Sequence, residues 1–302
     1  MRPEGRTMPD TLKKIALITN FNIREKALAA QKTAQFLSSY PCALYASALM
    51  RQRIEEYPSL ASSLTFVPNS TLYRDMDFII VLGGDGSILG AARYCISSGI
   101  PILGINLGRL GYMAEVETDE LPELEKLFDG RFSVEERSMI DVSVLKKGKQ
   151  MIFRASALND AVISGGSAAK MVDLELSASG RNIGSYHADG IIFSTPTGST
   201  AYSMSAGGPV IDPKMKCICV TPICSHSLTA KPIVFSENTV LEAKNICERE
   251  KKLFLTLDGN VGFEIYRGDT VKIRESEAKT RLVRLKEQSF CNTLRTKMNV
   301  NL

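Results

Sequence analysis

The first part of the chain alternates short apolar runs with segments of helical spacing. Apolar runs bounded by polar or glycine residues predict buried strands at 13–19, 44–46, 64–67, 77–82 and 100–106. Segments with apolar residues on one helical face predict helices at 24–38, 88–94 and 119–128. Strands that alternate with helices indicate a parallel, doubly wound sheet. We therefore expect a Rossmann-like α/β domain over residues 11–137.

Past Arg137 the helical spacing nearly disappears and short alternating runs replace it. Between residues 172 and 177, for example, apolar and polar residues alternate strictly. Further short strands are predicted at 139–145, 150–158, 217–220, 233–234, 240–243, 253–257 and 270–273. This pattern is typical of a β-sandwich, which we place over 138–277. Residues 284–296 predict a helix, and we assign 278–302 to the first domain.

Composition narrows the class of protein. A chain of 302 residues is long enough for two domains, and 44% hydrophobic with 23% charged residues is ordinary for a soluble protein. The net charge of +4 is too small to indicate nucleic-acid binding, and no apolar run is long enough to cross a membrane. Seven cysteines without a CxxC pair favour free thiols in a reducing cytoplasm. The amino end lacks the apolar core of a secretory signal, and we expect a short disordered lead with Met8 as an alternative start.

The strand at 77–82 is followed directly by Gly83-Gly84-Asp85-Gly86-Ser87. Glycines allow a tight turn and the close approach of a ligand, and ligands of open α/β sheets bind at this end of the strands. Asp85 carries the only charge in the turn, and Ser87 is predicted to cap the next helix. Polar and glycine residues also follow the strand at 100–106, and we expect three of them beside Asp85: Asn106, Gly108 and Gly111.

Other polar stretches are candidates for nucleotide binding. Residues 187–209 are rich in hydroxyl side chains and small residues, which suit the polar edges and phosphates of a nucleotide, and Tyr202 can stack on a base. The Asn159-Asp160 pair suits an adenine edge and ribose hydroxyls, although such pairs are also common in turns. The segment 257–260 can likewise be interpreted as a nucleotide contact or as a turn, and a hairpin turn is the simpler interpretation.

Several standard motifs are absent from the sequence. Leu89 stands where the dinucleotide fingerprint needs glycine, and no P-loop motif occurs. With only two histidines, Ser-His-Asp chemistry and a zinc hydrolase are disfavoured.

Taken together, the motifs resemble the NAD kinase family in order and spacing, from about Ile15 to the carboxyl end. The resemblance rests on Gly83–Ser87, Asn159-Asp160, 194–209 and 221–228. Three positions depart from the family's usual residues: Ser87 replaces threonine, Asp160 replaces glutamate, and Ser225 replaces proline.

The resemblance implies phosphorylation of the 2′-hydroxyl on the adenosine ribose of NAD, which gives NADP. It implies Asp85 as the catalytic base, a phosphate loop of Gly83, Gly84 and Ser87, and a divalent cation such as Mg²⁺. The positions that match NAD-binding residues of the family are Asp85, Gly86, Asn159, Asp160, Lys170, His187, Asp189, Thr200, Ala201, Tyr202, Ser203, Met204, Ser205 and Asn260. The implied substrates are NAD and ATP, and the implied assembly is a homodimer or homotetramer.

The sequence leaves two other functions open. A lipid kinase with the same glycine turn and a β-sandwich is one rival, although the stretch 195–209 suits a dinucleotide better. A non-catalytic NAD-binding sensor is the other, although a sensor needs no base at Asp85. The sequence leaves open whether ATP or polyphosphate is the donor, whether NADH is accepted and whether NADPH regulates the protein.

Overall fold

A computed structural model describes residues 12–108, 111–147, 149–165, 171–227, 229–248, 252–287 and 290–298. The predicted amino-terminal lead and the candidate residue Lys170 lie outside these ranges. The described strands are β1 (Lys13–Ile18), β2 (Cys42–Ser47), β3 (Leu64–Val67), β4 (Phe78–Leu82), β5 (Ile102–Asn106), β6 (Val116–Glu117), β7 (Ser133–Lys146), β8 (Gln150–Ala157), β9 (Asp160–Gly165), β10 (Val172–Ala178), β11 (Arg181–Ala188), β12 (Gly190–Ser194), β13 (Cys217–Ile223), β14 (Ile233–Ser236), β15 (Leu241–Asn245), β16 (Leu253–Leu257), β17 (Asn260–Ile265) and β18 (Thr270–Arg284).

The described helices are fewer than the strands and contain fewer residues in total. The α-helices are α1 (Arg24–Leu37), α2 (Arg51–Ile54), α3 (Pro58–Ala61), α4 (Asn69–Leu72), α5 (Asp85–Cys95), α6 (Lys126–Asp129), α7 (Tyr202–Ser205) and α8 (Phe290–Met298). Short 3₁₀ helices cover Ala48–Met50, Leu121–Glu125 and Thr197–Thr200.

The chain divides into two compact units, 1–136 with 281–302 and 137–280. The sequence placed the divisions after 137 and before 278. In the first unit, β5, β4, β1, β2 and β3 form neighbouring parallel pairs in that order. Side chains of β4 and β5 are buried throughout, as a sheet covered on both faces requires. The predicted parallel α/β architecture is therefore confirmed.

The final segment returns to the first unit as a strand end followed by a helix. Leu282 of β18 pairs with Ile102 in a parallel register. The Arg284 side chain pairs with the carboxylates of Glu115 at 2.9 Å and Glu135 at 2.6 Å, and the Leu285 N–H donates to Glu115 at 2.9 Å. These contacts keep the chain extended to Arg284, so the helix predicted from 284 is wrong at its start and begins at Phe290.

The second unit contains two antiparallel sheets. One sheet has the order β14-β13-β12-β9-β16-β17, and strands β11, β10, β15, β18, β7 and β8 belong to the other. Inward side chains from both sheets form one core, represented by Val142 and Leu174 from one sheet and by Ile163, Phe193 and Leu255 from the other. The predicted β-sandwich is confirmed, and β9, β11 and β12 are strands that the sequence did not separate clearly.

The segment 119–128 differs from the predicted single helix. It forms a 3₁₀ helix at Leu121–Glu125 and then α6, which ends at Asp129 and is followed by the C-cap Gly130 with φ of 77°. Pro122 stands at the start of the 3₁₀ segment, where its missing N–H is not required.

Candidate active site

The glycine turn joins the buried strand β4 to helix α5. Gly84 is the N-cap of α5, which begins at Asp85, and the N-cap makes no side-chain hydrogen bond. The prediction that Ser87 caps this helix is wrong, because Ser87 lies inside the first turn and its N–H donates to the Gly84 carbonyl at 2.9 Å. A Cβ at Gly83 would overlap the Ser87 side chain, so the turn requires glycine there.

Asp85 is held in one orientation by the backbone of the loop after β5. Its Oδ2 accepts the Tyr112 N–H at 2.8 Å, and its Oδ1 accepts the Met113 N–H at 3.1 Å. A Cβ at Gly111 would collide with the Asp85 carboxylate. The prediction that Gly111 lies beside Asp85 is confirmed. Burial and the Asp85 charge raise the pKa of the Tyr112 phenol.

Asn106 and Gly108 support the same loop from the end of β5. The Asn106 Nδ2 donates to the Gly108 carbonyl at 2.9 Å and to both carboxylate oxygens of Glu117 at 3.0 and 3.1 Å. These acceptors fix the orientation of the amide. Its buried Oδ1 accepts no hydrogen bond from the described part of the chain.

Replacing Gly111 by alanine is expected to lower turnover by about two orders of magnitude. The new methyl group displaces the Asp85 carboxylate, and misplacement by about 1 Å is enough for a loss of that size. Steady-state kinetics measure the effect. Gly90→Ala is the matched control, because a Cβ at Gly90 meets nothing within 4 Å. Equal activity of Gly111→Ala and Gly90→Ala would contradict this role of Gly111.

In the second unit, the Asn159-Asp160 pair is organised by the carboxylate of Asp258. Asp258 Oδ1 accepts the N–H groups of Asn159 at 2.7 Å and Asp160 at 3.1 Å, and Oδ2 accepts the Leu158 N–H at 2.9 Å. Asp258 and Gly259 have φ of 49° and 70° and connect β16 to β17, so the predicted hairpin turn is confirmed.

Asn159 and Asp160 are both buried. Burial affects the hydrogen bonding of the Asn159 side chain and the pKa of the Asp160 side chain. The Asn159 Oδ1 accepts no hydrogen bond from the described residues, and a buried acceptor of this kind costs about 1–3 kcal/mol. Such exceptions call for an explanation, and a binding role is one. Burial, with the nearby Asp258 carboxylate, raises the pKa of Asp160 to about 7.

This shift predicts how stability depends on pH. The folded state keeps the Asp160 proton between pH about 4 and 7, whereas the unfolded chain loses it, so folding becomes less favourable as pH rises through that range. Asp160→Asn removes this contribution, which amounts to at most about 4 kcal/mol for a shift of that size. Urea unfolding from pH 4.5 to 8 is expected to show a flatter dependence for Asp160→Asn. Parallel curves for the two proteins would contradict the raised pKa.

The hydroxyl-rich stretch after β12 packs against the Asn159 backbone. The Thr195 hydroxyl donates to the Leu158 carbonyl at 2.6 Å, and the Thr195 N–H donates to the Asn159 carbonyl at 2.9 Å. A Cβ at Gly198 would collide with the Asn159 backbone, which explains the glycine. Arg137, whose Nη1 donates to the Thr197 hydroxyl at 3.3 Å, is a buried neighbour that sequence patterns did not indicate.

Among the candidates from 200 to 205, Thr200 ends a short 3₁₀ helix, Ala201 connects it to α7, and the others form α7. Tyr202 is 48% exposed, which leaves its ring available for stacking. Ser203 is fully buried and its hydroxyl is hydrogen-bonded to the Thr221 hydroxyl at 2.9 Å. Ser203 therefore contributes to the interior, where its carbonyl also accepts the Gly208 N–H at 2.8 Å.

The structure separates the remaining candidates of the second unit. Asp160 pairs with Ser194, whereas His187 and Asp189 lie at the opposite end of β12, about 13 Å along the strand. There the His187 Nδ1 lies 2.5 Å from the Asp173 carboxylate, and its ring packs edge-on against His226 at 5.5 Å. Asn260 begins β17 and donates to the Asp258 carbonyl at 3.3 Å, beside the Asn159-Asp160 pair.

Comparisons with known proteins identify the family. An ATP-NAD kinase N-terminal domain matches residues 15–132, and an ATP-NAD kinase C-terminal domain matches residues 158–285. The NAD kinase of Geobacter sp. strain M21 is 36% identical over 288 residues, covering 95% of this chain and 98% of that protein. The chain belongs to the NAD kinase family. It is therefore an enzyme of the kinase class.

Further NAD kinases agree with this assignment. The enzyme of Caldanaerobacter subterraneus is 37% identical over 291 residues, covering 95% of this chain and 99% of that one. A crystal structure of yeast NADH kinase complexed with NADH superposes with a TM-score of 0.86 at 23% identity, covering 96% of this chain and 88% of that one. A crystal structure of an NAD kinase from Archaeoglobus fulgidus in complex with ATP superposes with a TM-score of 0.70 at 24% identity, covering 95% of this chain and 98% of that one. These two structures support the fold.

Other features of the NAD kinase chain concern its thiols, metals and helices. All seven cysteines are free, as predicted. Among the described residues, no three His, Cys, Asp or Glu side chains converge as metal ligands. The helices that the structure describes do not combine the length and the apolarity that crossing a membrane requires.

Proposed function

We propose that this NAD kinase transfers a phosphoryl group to the 2′-hydroxyl on the adenosine ribose of NAD, with Asp85 as the general base. The observation that carries the proposal is the Asp85 carboxylate beside the glycine turn, held by the Tyr112 and Met113 N–H groups. A carboxylate held in this way is oriented, which a proton acceptor requires.

The reaction needs a base because a secondary hydroxyl is a weak nucleophile. Its oxygen forms a bond to the terminal phosphorus while the bond from that phosphorus to the leaving phosphate breaks. The hydroxyl proton passes to Asp85, and the electron pair of the broken bond stays on the leaving phosphate. A base of this kind contributes about 10²–10⁴-fold. Gly83, Gly84 and Ser87 form the proposed phosphate loop. The Gly83 and Ser87 N–H groups donate to the Ile105 and Gly84 carbonyls at 2.9 Å, so the Gly84 N–H and the Ser87 hydroxyl are the groups proposed to stabilise the spread negative charge.

The NAD-binding residues are proposed in the second unit. The Asn159 amide suits an adenine edge, and Asp160 suits ribose hydroxyls because a carboxyl with a pKa of about 7 both donates and accepts near neutral pH. The exposed Tyr202 ring suits stacking on a base. The other proposed contacts follow from the family's positions: Gly86, Lys170, His187, Asp189, Thr200, Ala201, Ser203, Met204, Ser205 and Asn260.

The glycine turn with Asp85 fits a divalent cation that binds together with the phosphates of the donor. Mg²⁺ at phosphoryl-transfer sites uses one or two carboxylates together with substrate phosphates. Asp85 is the carboxylate at this turn that would hold it, as the alternative to serving as the base. When bound, such an ion neutralises charge that develops on the transferred group.

The remaining assignments are proposals of the same kind. ATP is the proposed donor, with polyphosphate as the alternative, and the A. fulgidus relative was crystallised with ATP. A homodimer or homotetramer in the cytoplasm is the proposed state, in agreement with the free thiols.

The test follows labelled phosphate into different acceptors. Purified protein receives γ-labelled ATP and Mg²⁺ with NAD, with NAD that lacks the 2′-hydroxyl, or with diacylglycerol. The proposal expects label only in NAD. Label in diacylglycerol would support the lipid-kinase alternative, and NAD binding without transfer from ATP or polyphosphate would support the sensor.

A further inference from the structure

The loop that holds the Asp85 carboxylate is itself held by a residue near the end of the chain. Met113 donates its N–H to Asp85 Oδ1 at 3.1 Å, and its carbonyl accepts an N–H from Arg284 Nη1 at 3.3 Å. The N–H and the carbonyl of one residue belong to planar peptide units that only two dihedral angles separate. Fixing the Met113 carbonyl therefore restricts the direction of the N–H that Asp85 accepts.

The Arg284 guanidinium is in turn fixed by two carboxylates. Its Nη1 donates to Glu115 Oε2 at 2.9 Å, and its Nε donates to Glu135 Oε2 at 2.6 Å. Because Nη1 carries two N–H groups, it serves Glu115 and Met113 together. The Arg284 side chain is 17% exposed and the Glu115 side chain is 2% exposed, so salt screens this ion pair only weakly.

Glu115 also connects β5 to the segment that follows β18. Its Oε1 accepts the N–H groups of Leu285 and Lys286, both at 2.9 Å, and its own N–H donates to the Gly104 carbonyl of β5 at 2.9 Å. A buried ion pair is often no more stabilising than apolar side chains of similar volume. Stability alone is therefore a weak explanation for the pair of Glu115 and Arg284.

The segment around Met113 is also packed against β5. A Cβ at Gly104 would lie 2.9 Å from the Cα of Ala114, and β6, which follows this segment, pairs with β5. The Met113 side chain is buried. Since these contacts limit the movement of the segment, the bond from Arg284 needs to restrict only the remaining rotation of the Met113 peptide groups.

We propose that Arg284 is a positioning residue for Asp85. By holding the Met113 carbonyl, it keeps the Asp85 carboxylate in the orientation that the reaction uses, and it acts through Met113 rather than on the substrate. The inference rests on the proposed function, because it assigns a support to the base of that reaction. It also gives the segment that returns to the first unit a role in the chemistry.

The test combines Arg284→Lys with Asp85→Asn in a double-mutant cycle. Lysine keeps the positive charge between the two carboxylates, but its single nitrogen does not replace both Nε and Nη1. Arg284→Lys alone is expected to lower kcat about 10-fold and to change KM for NAD less than about twofold, because a misplaced catalytic group slows the chemical step. In the Asp85→Asn protein the same substitution is expected to lower kcat less than about twofold, because the base is already absent.

Arg281→Lys is the matched control from the same strand. Arg281 donates to a Glu136 carboxylate oxygen at 3.2 Å and to the Gly99 carbonyl at 3.4 Å, and both acceptors lie outside the loop that holds Asp85. Its kcat is expected to match that of the wild type. A substitution that merely reduced the folded fraction would lower kcat by the same factor with and without Asp85, which the cycle detects.

Amide hydrogen exchange, followed by NMR, tests the geometry independently of activity. The Met113 N–H is expected to exchange about 10-fold faster in Arg284→Lys than in the wild type or in Arg281→Lys, because local opening of the loop becomes easier. Unchanged exchange at Met113 would overturn the positioning role.

The outcomes separate this inference from the proposed function. Wild-type kcat in Arg284→Lys, or an equal loss with and without Asp85, would overturn the positioning role and leave the proposed function intact. Full activity of Asp85→Asn would overturn the general base and with it the role of Arg284. A wild type that forms no NADP would overturn the proposed function, and faster exchange at Met113 in Arg284→Lys would then still support the hold of Arg284 on this loop.

Discussion

Asp85→Asn is expected to reduce turnover by at least about 10²-fold while the affinity for NAD changes by no more than a few-fold. The amide cannot accept the hydroxyl proton, and a positioned base contributes about 10²–10⁴-fold to such a step. Both oxygens of Asp85 also accept backbone N–H groups at 2.8 and 3.1 Å, and an amide can satisfy only one of them. The measurements are kcat in an NADP-forming assay and the NAD dissociation constant by calorimetry.

Asp75→Asn is the matched control for this substitution. Asp75 is an exposed carboxylate of the same unit, in the turn before β4, and its replacement is expected to leave kcat unchanged. Thermal unfolding of each variant shows whether a lost hydrogen bond at Asp85 has changed the fold instead of the chemistry. Turnover of Asp85→Asn close to that of Asp75→Asn would remove Asp85 from the mechanism.

Asp258→Ala is expected to lower the free energy of unfolding by about 3 kcal/mol or more. The substitution leaves the N–H groups of Leu158, Asn159 and Asp160 without their acceptor, and each buried donor left unpaired costs about 1–3 kcal/mol. Relief of the charge near Asp160 offsets only part of this loss. Alanine also tolerates φ of 49° less well than aspartate. Urea unfolding at pH 7 measures the change.

Two further variants are needed to interpret the effect of Asp258→Ala. Asp258→Asn keeps one acceptor oxygen and is expected to cost less than Asp258→Ala. Asp212→Ala removes one exposed hydrogen bond, to the Lys214 N–H at 2.9 Å, and is expected to cost less than about 1 kcal/mol. If Asp258→Ala were no more costly than Asp212→Ala, Asp258 would not organise the Asn159-Asp160 segment.

The fold was predictable where a pattern is local and repeated. The five apolar residues of β4 have no polar neighbour within the strand, so burial on both faces follows from sequence alone. The alternation at Val172–Ala178 likewise predicts a strand with one buried face. The error at Arg284 has a physical cause, because carboxylates that lie far away in sequence, Glu115 and Glu135, hold this arginine in an extended segment.

The site was predictable in its residue types and less so in its arrangement. The glycine turn indicated Asp85, but only the structure reveals that Tyr112 and Met113 N–H groups orient its carboxylate. The Asp258-Gly259 pair indicated a hairpin turn from local sequence alone. The hydrogen bonds from the N–H groups of residues 158–160 to the Asp258 carboxylate, in contrast, join positions about a hundred residues apart. No local pattern reports such contacts.

The measurement that tests the central claim most directly is formation of NADP by the purified wild type. Protein, NAD, ATP and Mg²⁺ are incubated together, and the product is detected with a dehydrogenase that reduces NADP and does not reduce NAD. The account predicts NADP in proportion to enzyme and time, with ATP consumed in equal amount. No NADP from folded protein, with ATP and then with polyphosphate as the donor, would contradict it.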